Sequence, residues 1–109
     1  MNSDFEKIVP EDFKQYQDIG RRFKRVQMEN TAELNSICVD SWLLASRWSE
    51  IESLSNKIAK ENGISKTDFQ TWCYQKFRQL QELHITTRSW FRMSKEEQTE
   101  IRKIEGIWV

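Results

Sequence analysis

Thr67, Gln70, Thr71, Tyr74 and Arg78 recur three and four residues apart, so a helix through them carries hydroxyls, an amide and a guanidinium on one face with no acid among them. Such a face can donate to phosphate oxygens and read base edges in the major groove of a duplex. Lys66 at its start and Arg88 and Arg92 beyond its end add cations, the last two interleaved with Trp90 and Phe91. Asp68 is explained as an acid at a helix N-terminus, where the backbone dipole favours it. A second basic cluster, Arg21, Arg22, Lys24 and Arg25, surrounds Phe23. It could grip phosphates or an acidic partner, but a solvated helix end whose cations suit the dipole accounts for it more simply.

Catalytic chemistry is thinly represented. His84 is the sole histidine, with no cysteine or carboxylate at a spacing that suggests a pair. There is no phosphate-cradling glycine loop, no HExxH and no Cys/His cluster, so neither a metal nor a cofactor nor a small-molecule substrate is expected, and the chain reads as a non-enzyme.

The elements that position the donor face lie just before it. Ala59 and Gly63 stand four apart, a small side chain one turn ahead of a residue free to take positive φ and close a helix. Ile58 and Ile64 flank the turn, and Phe69 and Trp72 sit three apart on the following helix, so the four can share a small core under the corner. Residues 57–72 thus resemble the helix-turn-helix of DNA-binding proteins, with Ala59, Gly63, Ile64, Phe69 and Trp72 at that family's small, turn and inner-face positions. The resemblance covers some 20 of the 109 residues. It implies a small, dimeric transcriptional regulator binding double-stranded DNA with the helix that starts near Lys66. Thr67, Gln70, Thr71 and Tyr74 would face bases or phosphates, and Lys66, Arg78, Arg88 and Arg92 would neutralise phosphates.

Two residues depart from the family's pattern: Asn62, where an apolar side chain is usual, and Lys76, within the apolar stripe. Asn62 is expected to cap the carbonyls of the first helix, and Lys76 to lay its methylenes on the core and send its ammonium to water. An ordinary helix bend accounts for the same residues, with Gly63 ending one helix and Ser65 or Thr67 capping the next.

The remaining segments also read as helices. Pro10 with Glu11 and Asp12 opens one that runs to about Met28 and buries Phe13, Tyr16, Ile19, Phe23 and Val26. Thr31 is expected to cap a long second helix, with a heptad-like seam of Leu34, Ile37, Leu44, Trp48, Ile51 and Ile58 broken near Ser53 to Asn56. Cys38, Trp42 and Ala45 widen its apolar face. The donor helix should end near His84, leaving residues 85–93 as a loop or short strand with Trp90 and Phe91 as core plugs. Ser94 and Glu97 form a capping box for a last helix that ends at Gly106, followed by the apolar Ile107-Trp108-Val109.

These elements fit a single domain over residues 1–109, an all-α, compact bundle of about four to five helices containing the helix-turn-helix-like corner. Three glycines and one proline are too few for many short strands. No apolar run is long enough to span a bilayer and the first residues lack a secretory pattern, which makes the cytoplasm the default and excludes a membrane role. Cys38 and Cys73 read as unpaired thiols. Lys and Arg balance Asp and Glu at 17 each, but residues 57–103 hold ten bases against six acids, coincident with the corner. Five tryptophans are many for this length, which points to self-association or a protein partner at Trp42, Trp48 and Trp108. The alternative to a DNA reader is therefore a helical interaction module, such as an adaptor or stoichiometric inhibitor. A phage packaging or plasmid-maintenance protein is a further variant.

Overall fold

The computed structural model describes residues 2–27 and 29–105. Among them the chain forms six α-helices and no strand: α1 (Asn2–Ile8), α2 (Pro10–Arg25), α3 (Thr31–Ser53), α4 (Ser55–Asn62), α5 (Lys66–Ser89) and α6 (Lys95–Glu105), with a 3-10 turn at Trp90–Arg92. Residues 85–89, expected as part of a loop or short strand after His84, instead continue α5 to Ser89. Thr87 stays buried there by donating its hydroxyl to the Leu83 carbonyl at 2.9 Å.

The centre is an antiparallel pair, α3 against α5. Cys38 meets His84 near one end and Trp48 meets Trp72 near the other. α2 lies along their shared groove, with Phe13 stacked on Trp72 at 5.7 Å and Phe23 edge-on to Trp90 at 5.3 Å. α2 therefore runs parallel to α5. α1 covers the end of the bundle where α5 begins, through Phe5 on Phe69 and Trp72, both at 5.5 Å. α6 covers the opposite end, where buried Gln98 donates to the Trp90 carbonyl at 2.8 Å. The result is an elongated body of 46 × 21 × 18 Å.

Helix ends follow local chemistry. Pro10 sits in the first turn of α2, and Asn30 rather than Thr31 caps α3, its side chain accepting from the Glu33 amide at 3.1 Å. α3 breaks at Leu54, one position into the expected serine-rich interval. The Ser94 and Glu97 capping box is formed, with the Glu97 amide donating to Ser94 Oγ at 3.2 Å. Gly106, Trp108 and its neighbours, and Met28 at the expected end of α2, lie outside the described residues.

The core carries three of the tryptophans. Trp48 is fully buried, T-shaped to Trp72 at 5.3 Å and to Tyr16 at 6.1 Å. Its Nε1–H finds no acceptor, a desolvation cost of about 1–3 kcal/mol. The two ring contacts offset that at roughly 0.5–1.5 kcal/mol each, beyond the gain from burying the ring itself. Lys76 is half-buried, and its ammonium stands over the rings of Tyr16 and Trp72 at 5.1 and 5.4 Å. Burial lowers its pKa, and the charge of Glu6 opposes that shift.

The Cys73 thiol is buried against this cluster. Burial, then the nearby charge of Glu52, pushes its pKa from 9.0 up to about 12. Between those values the unfolded chain has released a proton that the folded chain keeps, so this group removes stability as pH rises from about 9 to about 12 and contributes nothing near neutrality. Lys76 acts in the opposite sense. Urea melts over that interval should therefore show a smaller alkaline loss of stability for Cys73→Val than for the wild type. Parallel curves would mean that the thiol titrates at its ordinary value.

Candidate functional site

The corner at residues 57–72 is built as a tight helix junction. Gly63 ends α4 in the left-handed conformation (φ 62°, ψ 37°), and the Ile64 amide reaches back to the Ala59 carbonyl at 3.1 Å, the six-to-one bond of a Schellman turn. Asn62 Nδ2 donates to the Ile58 carbonyl at 2.8 Å, the capping role expected of it. Ser65 caps α5 by accepting from the Asp68 amide at 3.3 Å. Ala59 and Phe69 are buried beneath the turn, with Ile58 and Ile64 partly so.

Beyond the corner, Lys66, Thr67, Gln70, Thr71, Tyr74 and Arg78 are all exposed on α5, so its outer face is presented as expected. Arg78 forms a surface ion pair with Glu82 at 3.5 Å, and Tyr74 first, then Glu82, raise its pKa.

The other basic residues do not join this face. Phe23 packing on Trp90 places Arg21, Arg22, Lys24 and Arg25 at the far end of the bundle, beside the stretch that carries Arg88 and Arg92. Gln70 and Arg88 are 18 positions apart on one helix, about 27 Å along its axis. Arg21 pairs with Asp18 at 2.9 Å. Arg22 is a structural clamp from α2 to α3, bonded to Glu33 at 3.0 Å, Asp40 at 2.7 Å and Ser36 at 2.9 Å. Burial works against its charge, but the bonds to Asp40 and Glu33 outweigh it and raise the pKa. Acidic Asp18 and Glu33 line the same recess as Arg21 and Arg25, so it is not a purely cationic cradle.

No protein-family model, curated protein or solved structure matches this chain.

On α3 the tryptophans separate. Trp48 belongs to the core and is no part of a surface, a correction to its expected place at an interface. Trp108 lies outside the described residues. Trp42 is exposed, and it lies between Val39 and Leu43 in sequence on the outside of α3, the three being 58%, 54% and 60% exposed in chain order 39, 42, 43. Its ring packs on His84 at 5.1 Å, which anchors it from below.

Beneath Trp42 lies a contact that no local spacing announced. Cys38 Sγ is 3.4 Å from His84 Nδ1, and the same nitrogen is 2.8 Å from the Cys38 carbonyl oxygen. His84 thus has a cysteine neighbour after all, 46 positions away in the chain. Because Nδ1 is the nitrogen next to the carbonyl, it is best satisfied as a donor there, which fixes the imidazole under the indole instead of activating the thiol. No group of three or more metal-ligating side chains occurs among the described residues, and none of their helices is long and apolar enough to cross a membrane.

Gly63 gives a direct test of the corner. A Cβ added there meets nothing within 4 Å, so the cost of Gly63→Ala is the left-handed backbone alone, about 1–2 kcal/mol. Chemical denaturation should show that loss with an unchanged far-UV spectrum. No loss would mean that the turn does not depend on positive φ.

Proposed function

We propose that this protein is a helical interaction module, an adaptor or stoichiometric inhibitor that engages another polypeptide through the outer face of α3. The observation that carries the proposal is the exposed triad of Val39, Trp42 and Leu43 at the middle of that helix. Side chains three and four apart on a helix adjoin, so the triad makes one continuous patch. Its area is on the order of 300 Å², at the lower end of the range for the largest apolar patch of a typical monomer, a patch that often serves a function. Trp42 has the character of an anchor, because packing on His84 restrains the ring before a partner arrives and lowers the entropy lost on binding. A formal charge of zero also suits a protein partner better than a polyanion.

DNA binding is the second reading, favoured by the exposed Thr67, Gln70, Thr71 and Tyr74 on α5 just after the glycine turn. It ranks lower because Arg78 is tied to Glu82 and because Arg21 to Arg25, Arg88 and Arg92 stand at the other end of the molecule.

A photo-crosslinker placed at position 43 should capture protein in extracts of the cells that make this chain, whereas one at position 71 should not. In parallel, the anisotropy of a labelled random duplex should change little at low salt and respond to neither Gln70→Ala nor Arg78→Ala. Steep salt-dependent binding weakened by Arg78→Ala, with position 43 silent, would transfer the assignment to the DNA-binding reading.

A further inference from the structure

We propose that the occupant of the α3 face is a second copy of this chain, the two α3 helices packing antiparallel across a two-fold axis beside Leu43. The inference rests on the α3 face being the docking surface. It commits that surface to one partner.

Position is the first argument. α3 spans Thr31–Ser53, so Trp42 is its midpoint and Leu43 the next residue. An antiparallel copy centred there overlaps the helix along its whole length, about 34 Å. The small exposed side chains of Ser36 on one side and Ser46 and Ser49 on the other let the second backbone approach around the bulky centre. A cleft of about 330 Å³ between α2 and α3, walled by Ile19, Arg22, Asp40, Leu43 and Leu44, opens beside the axis. It offers a recess for the partner's Leu43.

Charge selects the orientation. A parallel pair, with its two-fold axis along the helices, would put Asp40 and Arg47 of one chain on the opposite edge of the seam from those of the other, so no opposite charges would pair across it. The antiparallel pair instead brings Asp40, three positions before the axis, level with the partner's Arg47, four positions after it. Within one chain Arg22 already holds Asp40 at 2.7 Å, and Arg47 holds Asp12 at 3.1 Å. Across the axis these two pairs join into one row that alternates in sign: Arg22, Asp40, the partner's Arg47, the partner's Asp12. The row occurs twice by symmetry.

The test is mass by light scattering over a concentration series of the purified chain. The expected result is a shift from 13.2 kDa towards twice that mass, abolished by Leu43→Glu with an unchanged helical spectrum, since the position is exposed and its change leaves the core intact. A monomer at every concentration, or a dimer that survives Leu43→Glu, overturns the proposal. Orientation is read by oxidation in a Cys38→Ser background. Leu43→Cys should link to itself, and Ser36→Cys should not, because the two copies of position 36 stand about 21 Å apart along the axis. A disulfide needs Cα atoms within about 7 Å. Equal linking of both variants would overturn the antiparallel arrangement. A monomer whose position 43 still photo-crosslinks to a different protein overturns the homodimer alone, and a monomer that captures nothing removes the interaction reading as well.

Discussion

Trp72 is the contact on which the rest of the molecule depends. Its indole touches Phe5 from α1, Phe13 from α2, Trp48 from α3 and Phe69 from its own helix, all with ring centroids between 5.3 and 5.9 Å, and Lys76 stands over its face. One side chain thereby joins four helices at the end of the bundle where the α4–α5 corner turns. The corner is positioned by this cluster, since Phe69 is both the inner residue of the turn and a member of the aromatic group. A 109-residue chain has limited surface to bury. Rings packed edge-on, tilted and stacked around one indole concentrate that burial at one junction.

The helical plan was legible because its signals are local. The seam on α3, Pro10 in the first turn of α2, the glycine at position 63 and the Ser94 to Glu97 box each act within one or two turns, and each appears where the spacing placed it. α1 was not legible, since seven residues with Phe5 as their buried side chain carry too short a period to stand out. α5 outran its expected end because Thr87 hides its hydroxyl in the helix's own carbonyls, so a polar residue on the buried stripe cost little. At the corner the Asn62 cap was readable, while the cap of α5 stayed open between Ser65 and Thr67, and Ser65 fills it. Such legibility belongs to helix capping, and capping is shared by any close junction of two helices.

The candidate site was far less legible, and the tryptophans show why. Trp42 and Trp48 lie six positions apart, which at 100° per residue turns them about 120° from each other. They were both counted towards one broad apolar face, whereas α3 has two: Trp48 and Ile51 face the core, Val39, Trp42 and Leu43 face solvent. The interface place expected of Trp48 fails because edge-on packing against Trp72 and Tyr16 buries it, whereas Trp72 and Trp90 are buried as their spacing implied. Charge was misleading for a different reason. The basic surplus of residues 57–103 is real along the chain, but a 24-residue helix carries its two ends far apart, and the cations at those ends are not one patch. His84 and Cys38 meet only because α3 and α5 run antiparallel, a fact of topology that spacing within either helix does not contain.

The outer face of α3 stands apart from everything that makes the fold. Arg22 and Arg47 clamp α2 to α3, the aromatic cluster joins α1, α2, α3 and α5, and Gln98 fastens α6, yet none of these needs large apolar side chains at 39, 42 and 43. Those residues keep more than half of their surface in water after folding and belong to no part of the buried core, so serine or glutamate in their place would leave the packing of the core as it is. Their apolar area is favourable only once it leaves water. The imidazole beneath Trp42 sharpens the point: α5 contributes a ring, held by the Cys38 carbonyl, that steadies an indole pointing out of the protein. An unsupported surface tryptophan would sample several rotamers, and each would have to be given up on binding. A supported one has already lost that freedom in the free chain, which is the condition under which an aromatic side chain contributes most to an interface.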